Sequence, residues 1–247
     1  MISTPWLVVK RPRPLAKLRL VCFPYAGGAA HVYSSWAEQL PDWIEMCAVD
    51  LPGRGARFRE PLCNSMEQLI GPLASAIGGL SSTPYAFFGH SMGAAVAFEL
   101  VLRGVGAPEI FFASARPAPH RFKKTEPVHA LPYDEFAAKM ARSFYCRFEE
   151  PLPAELLELF LPVLRADYTL SENHAYSGGR ALQCPVHAYH GTDDQSVNVE
   201  EVEAWRELTS GEFSLTKIPG NHFFVHGASD LVLRSVVSIL TSWNQRR

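Results

Sequence analysis

Three stretches of this sequence could together turn a hydroxyl group into a nucleophile. The first is Gly89-His90-Ser91-Met92-Gly93, which follows a short apolar run, residues 85–88, and leads into an alanine-rich helical segment. Strand, sharp turn and helix make a nucleophile elbow, whose turn is too tight for side chains two residues before and two after the serine. The strained apex lifts the Ser91 hydroxyl above the end of a sheet, and the start of the helix aims backbone N–H groups beside it. The pattern G-x-S-x-G is weak alone; the strand before it and the helix after it give it meaning.

A serine hydroxyl needs a base, and the base needs an orienter. On an elbow fold the chain order is Ser, then Asp or Glu, then His. His222, in Pro219-Gly220-Asn221-His222-Phe223-Phe224, sits between the last strand and the last helix, where such a base belongs. His226 is the rival, further towards the closing helix. The acid should follow the preceding strand, in Gly191-Thr192-Asp193-Asp194-Gln195-Ser196-Val197. The layout G-x-x-D-x-x-V selects Asp194, with Val197 as apolar anchor; Asp193 competes, and is expected to point elsewhere and cap the turn. His187 and His190 read as core or edge histidines of their strand, and His90 as structural. A tetrahedral intermediate also needs two N–H donors: that of Met92, after the nucleophile, and one from Pro24-Tyr25-Ala26-Gly27-Gly28, assigned to Ala26. These residues specify acyl transfer through an acyl-serine. They leave esterase, lipase, amidase and thioesterase open.

The elements that must carry these residues alternate. Strands are expected at residues 18–23, 44–50, 85–88 and 109–113, with a short edge strand at 6–9. Helices are expected at 31–40, at 65–78 with a capping-box start in Ser65-Met66-Glu67-Gln68, and from the elbow to about Arg103, with Gly104 near its stop. Alternation implies an α/β fold with a mostly parallel sheet and helices on both faces. From about residue 116 to 182 the rhythm breaks. Helical patterns at 133–145 and 154–167 are joined by prolines, and Pro162 is expected to kink or split the second. Strands resume at 186–190 and 213–218, with a helix at 198–209 between them and another at 228–243. The 116–182 segment leaves on the side of the sheet where ligands bind, so it is expected to be a lid inserted in one domain spanning 1–247.

Composition bounds the rest. In 247 residues, 47% are hydrophobic and the formal net charge is −2, which gives no electrostatic case for nucleic acid or an anionic membrane. The basic cluster Lys10, Arg11, Arg13, Lys17 and Arg19 reads as a solvated arm. No apolar run approaches a membrane span, and no signal-peptide core is visible. Cys22, Cys47, Cys63, Cys146 and Cys184 are odd in number and scattered, and read as reduced thiols of a cytoplasmic protein, neither disulfides nor metal ligands. A monomer is expected, since no long exposed apolar stripe stands out.

The set of motifs resembles the type II thioesterases, the discrete editing enzymes that accompany nonribosomal peptide and polyketide synthases. The resemblance rests on Phe23 to Gly28, Tyr33 with Trp36, and Leu51-Pro52-Gly53-Arg54-Gly55-Ala56-Arg57. It continues through the elbow, Arg116-Pro117-Ala118-Pro119, Leu164-Arg165-Ala166-Asp167, residues 191–197, Trp205 with Thr209, and Pro219 to Phe224. It implies an α/β-hydrolase fold with a helical lid, and hydrolysis of acyl thioesters on the 4′-phosphopantetheine arm of acyl or peptidyl carrier domains, with no cofactor of the enzyme's own. Ser91, Asp194 and His222 fall on the family's triad, and Ala26 and Met92 on its oxyanion hole. The alternatives are a small-molecule carboxylesterase, a chain-releasing fatty acyl thioesterase, and a silent carrier-binding protein. Two departures stand out. Asn221 replaces a second glycine before the histidine, in a place where left-handed backbone is tolerated. Ser143-Phe144-Tyr145-Cys146-Arg147-Phe148 lacks the family's Gly-rich turn, and its aromatic residues are expected to shorten the acyl pocket.

Overall fold

Each strand's apolar residues point to alternate faces, so a buried strand must feed two cores. In the computed structural model, which describes residues 4–80, 83–122, 126–148, 150–176, 178 and 182–247, the strand Leu18–Phe23 (β2) does this. Leu18, Leu20 and Cys22 enter one core and Val21 and Phe23 the other. β2 lies inside a seven-stranded sheet with β1 (Leu7–Val8), β3 (Ile44–Val49), β4 (Tyr85–His90), β5 (Phe111–Ser114), β6 (Val186–Gly191) and β7 (Phe213–Ile218). The order is β1-β3-β2-β4-β5-β6-β7. Only β1 runs antiparallel, pairing Leu7 with Val49. This is the mostly parallel α/β architecture expected.

Helices cover both faces. Trp36 of α1 (Ser34–Gln39) and Val232, Val236 and Leu240 of α8 (Ser229–Gln245) pack on the side of Phe88 and Phe112. Leu69 and Leu73 of α2 (Met66–Gly78) and the Ala95-Val96-Ala97-Phe98 run of α3 (Met92–Leu102) pack on the side of Phe87 and Phe111. α4 (Tyr133–Phe148) and α5 (Ala154–Asn173) form a smaller core of their own through Phe136, Met140, Leu161 and Leu164.

Several expectations are corrected in detail. The capping box at Ser65 does not form; the Gln68 side-chain oxygen Oε1 accepts instead from the Asn64 N–H at 2.9 Å. Pro162 does not split α5, which runs unbroken. The donor it removes would have served the Glu158 carbonyl, and both residues are exposed, so water can replace that bond. The helix expected at 198–209 is α6 (Val199–Glu203) followed by a 3₁₀ turn, and that expected at 31–40 is a 3₁₀ turn followed by α1. The closing helix is preceded by the single turn α7 (Phe224–Gly227). The basic arm is not simply solvated: Arg13 is buried, donating to the carbonyls of Ile44 at 2.7 Å and Ala37 at 3.2 Å, and Arg19 pairs with Glu45 at 2.8 Å. The Arg13 guanidinium thus supplies donors to carbonyls of α1 and of the start of β3, and Arg19 shares the Glu45 carboxylate with the Arg13 N–H. Cys22, Cys47, Cys63 and Cys184 are unpaired thiols; the Cys146 side chain, like those of 144–148 generally, lies outside what is described.

The elbow between β4 and α3 is packed too closely for side chains at its two glycines. Ser91 has φ 53° and ψ −117°, backbone that L residues rarely adopt. A Cβ on Gly89 would lie 2.4 Å from the Ala94 Cα, and one on Gly93 would lie 2.2 Å from the Phe23 carbonyl oxygen. The two glycines of the motif are therefore required by close approach within the turn and against β2. Gly71, in α2, meets nothing within 4 Å. Gly93→Ala is expected to lose about 3 kcal/mol of stability or more, while Gly71→Ala gains roughly 0.5–1 kcal/mol; urea unfolding of the two variants checks both signs.

Candidate active site

Ser91 projects from the elbow towards the loop after β7, and that loop returns a histidine to it. The Ser91 Oγ lies 3.0 Å from His222 Nε2, and His222 Nδ1 lies 2.7 Å from Asp194 Oδ2. A carboxylate only accepts, so Nδ1 carries the hydrogen and Nε2 is free to accept from the serine hydroxyl. The structure thus brings together the three side chains singled out in the sequence. The Asp194 side chain has no exposed surface. Its other oxygen, Oδ1, accepts from the Ser196 N–H at 2.8 Å and the Ser196 hydroxyl at 2.6 Å. Burial pushes the Asp194 carboxyl up, but the hydrogen bond and charge of His222 and the two bonds from Ser196 outweigh it and bring it down to about 2.

The loops hold this geometry by close approach. Gly191, at the end of β6, leaves no room for a Cβ, which would meet the Asn221 and Gly220 carbonyl oxygens at 2.7 Å. Gly220 takes the left-handed turn at φ 121°. Asn221 does not; its side-chain oxygen accepts from the Phe223 N–H at 2.9 Å, so the departure from glycine is met by a local side-chain turn. His190 Nε2 donates to the Val197 carbonyl at 2.9 Å, closing the loop that carries Asp194.

Beneath the site lies a neutral polar layer that sequence reasoning only touched. His90 is fully buried, its Nε2 2.9 Å from the His222 carbonyl oxygen and its Nδ1 2.8 Å from the Ser114 hydroxyl. The carbonyl only accepts, so Nε2–H donates to it and Nδ1 accepts from Ser114. Burial, then the neighbouring His222, holds the His90 imidazole down at about 3, so it stays neutral. Ser114 also accepts the Ser91 N–H at 2.8 Å through its backbone carbonyl. The end of β5 therefore supports both Ser91 and, through His90, the backbone of His222. Nothing in the spelling of β5 marks Ser114 for this.

The rival residues go elsewhere. His226 Nε2 meets the Tyr25 hydroxyl at 2.6 Å. The Asp193 N–H bonds the Gly220 carbonyl at 2.9 Å, and Asp193 is among the residues that line the cavity, while the bond to His222 goes to Asp194. His187 bonds the Ser214 hydroxyl at 2.6 Å. In the loop after β2, the Gly27 N–H goes to Asp167 Oδ2 at 2.7 Å and the Gly28 N–H to the Tyr25 carbonyl at 2.8 Å. Among the described residues the N–H groups of Ala26 and Met92 have no such partner.

Ser91, His222 and Ala26 open into a cavity of about 380 Å³. Its lining includes Leu164, Tyr168 and Phe223, which offer apolar surface, and Gln195, Ser196 and Asn221, which offer polar groups. Burial raises the Tyr168 phenol to about 12, so it is a neutral hydroxyl in that lining. The side chains of residues 144–148, expected to shorten the pocket, lie outside the described residues; Ser143 before them lines the cavity. Among the described residues no three His, Cys, Asp or Glu side chains gather as metal ligands would, and no helix is long and apolar enough to cross a membrane.

Two groups beneath the site set a pH dependence of stability. His90 is held below its unfolded value of 6.5, so its contribution is complete above pH 6.5 and lost as pH falls towards 3. Asp194 is held below 3.8, so its contribution is lost between pH 3.8 and about 2, and is worth about 2 kcal/mol. Thermal unfolding followed from pH 7 to pH 3 is expected to show the first decline in the unaltered protein and a shallower one in His90→Gln; equal slopes would remove His90 as its cause.

A thioesterase domain model matches residues 18–243. Linear gramicidin dehydrogenase LgrE of Brevibacillus parabrevis is 39% identical, over 96% of this chain and 93% of its own. The type II thioesterase BorB from the borrelidin biosynthetic cluster superposes with a TM-score of 0.84 at 34% identity, covering 96% of each chain. ClbQ from the colibactin NRPS/PKS pathway superposes at 0.88 with 30% identity, covering 94% of this chain and all of the other (100%). An elbow serine within reach of a histidine and a buried aspartate, on a sheet that superposes on these enzymes, places this chain in the thioesterase domain family, on the α/β-hydrolase fold.

Proposed function

We propose that this protein is a type II thioesterase: a serine hydrolase that cleaves acyl thioesters from the phosphopantetheine arm of acyl or peptidyl carrier domains, clearing stalled or aberrant acyl groups during nonribosomal peptide or polyketide synthesis. The observation that carries the reading is the hydrogen-bonded series Ser91, His222, Asp194 at the elbow, open to a cavity lined by both apolar and polar residues. BorB and ClbQ, named for biosynthetic clusters of this kind, support the carrier-linked substrate. One relative is named a dehydrogenase. The loop after β2 here spells Pro24-Tyr25-Ala26-Gly27-Gly28, without the G-x-G-x-x-G spacing that cradles a dinucleotide.

In the proposed reaction the Ser91 Oγ attacks the thioester carbonyl carbon and its proton passes to His222 Nε2. Asp194, ionised down to about pH 2, stabilises the imidazolium through the Nδ1–H bond. The carbonyl oxygen becomes an oxyanion and takes hydrogen bonds from the N–H groups of Ala26 and Met92. When the intermediate collapses the C–S bond breaks, and His222 returns the proton to the departing sulfur. Water then adds to the acyl-serine, gives a proton to His222, and the acid leaves as Ser91 regains it. The apolar lining residues suit an acyl chain, and the polar ones suit the amide-bearing arm.

We read residues 1–247 as one domain, with about 116–182 as the lid. Leu164 of α5 forms part of the cavity wall and belongs to the small separate core of α4 and α5. Four unpaired thiols fit a reducing, cytoplasmic setting.

Intact-mass spectrometry of an acetyl- or longer-acyl-phosphopantetheinyl carrier tests the reading. The acyl mass is expected to disappear with the unaltered protein, and Ser91→Ala is expected to slow this by about 10⁶-fold. Carrier thioesters left intact while simple oxygen esters are cleaved briskly would sink the thioesterase reading in favour of an esterase.

A further inference from the structure

Two segments far apart in sequence meet behind the loop after β2. Arg54 and Asp167 form a fork: Nη1 to Oδ2 at 2.5 Å and Nη2 to Oδ1 at 2.8 Å. Their side chains are 6% and 1% exposed. Asp167 Oδ2 also accepts the Gly27 N–H at 2.7 Å, and Arg54 donates to the carbonyls of Pro52 at 3.3 Å and Gly28 at 3.4 Å. One turn before Asp167, Leu164 presses on the same glycine, for a Cβ on Gly27 would lie 2.6 Å from Leu164 Cδ2. Gly27, at φ 77°, is thus held by a carboxylate and an apolar side chain of one helix. With the Gly27 and Gly28 N–H groups committed, the loop has the Ala26 N–H left to offer the cavity. Net stability is a weak reason for a buried ion pair, since apolar packing often does as well; fixing one geometry is a better one.

We infer that Arg54 and Asp167 are positioning residues: their ion pair fixes the backbone of Gly27 and Gly28 so that the Ala26 N–H stays aimed at the oxyanion formed above Ser91. The inference rests on the proposed acyl transfer at Ser91. It makes the pair matter to the transition state and little to the bound thioester, because the oxyanion exists only after attack.

The test uses the full chain, its Asp167→Asn and Arg54→Lys forms, and two readouts. One is hydrolysis of an acyl-phosphopantetheinyl carrier. The other is the affinity of a trifluoromethyl ketone, whose carbonyl carbon bonds the Ser91 Oγ while the serine proton moves to His222 and the carbonyl oxygen becomes the oxyanion. Asp167→Asn is expected to lower kcat about 10- to 100-fold with KM within about twofold, and to weaken the ketone by the same factor. Arg54→Lys, which keeps the charge and loses the fork, is expected to fall between. A folded Asp167→Asn with kcat and ketone affinity within about twofold of the unaltered protein, or with a raised KM alone, overturns the inference. If Asp167→Asn does not fold, Arg54→Lys decides by the same criteria; if neither folds, the pair serves only the fold and the inference fails. An unaltered protein that binds the ketone but leaves carrier thioesters intact defeats the carrier-thioesterase reading, and the ketone affinities still decide the role of the pair.

Discussion

The structure depends on how closely the start of α3 is driven against the end of β2. With Gly93 where a Cβ would lie 2.2 Å from the Phe23 carbonyl oxygen, no side chain can intervene between helix and strand. That contact sets the Ser91 backbone in its left-handed conformation and brings the loop after β2 beside the N-terminus of α3. Two backbone N–H groups from separate elements are thereby left near one another without a partner among the described residues: that of Ala26, at the cavity, and that of Met92, next to the cavity-lining Ser91. Neither is a product of side-chain chemistry, so the geometry of the elbow decides whether they can act on a common atom.

Around this contact the protein separates charge from neutrality. Asp194 is a buried carboxylate that stays ionised because three hydrogen bonds replace the water it lost. His90, its ring 5.6 Å from that of His222, is kept neutral by burial and uses both ring nitrogens, one on Ser114 and one on the His222 backbone. A neutral imidazole there supports the loop without placing a charge beside His222. The Arg54–Asp167 pair extends the logic to the loop after β2, which a buried ion pair matched in charge joins to α5. α5 is thus tied to that loop by a specific bond as well as by the apolar contact of Leu164.

Much of this was legible in the sequence because it follows from local chemistry. Alternating apolar strands and amphipathic helices dictated a parallel sheet with two covered faces. The elbow glycines, and the loops after β6 and β7 that carry Asp194 and His222, could be placed in order along the chain, since strand, turn and helix have distinct residue requirements. The choice of Asp194 over Asp193 rested on a spacing rule, and the structure places Asp194 on His222 with Ser196 on its other oxygen. Local signals misled where a neighbour could serve as well: Gln68 caps one residue too early, and Pro162 sits in an unbroken helix because its lost bond faces water.

What only the tertiary structure decided is which distant polar groups share a site. The segments of Arg54 and Asp167 were visible as motifs, but no spacing rule links positions 113 residues apart, so their bond and its hold on Gly27 were not. The same is true of Ser114, whose role depends on strand register pairing it with His90 across β4 and β5. The sequence by itself determined the chemistry available, because residue type sets what a group can donate, accept or attack. The tertiary structure decided how that chemistry is aimed, because hydrogen bonds act only at short range and only folding brings those atoms within it.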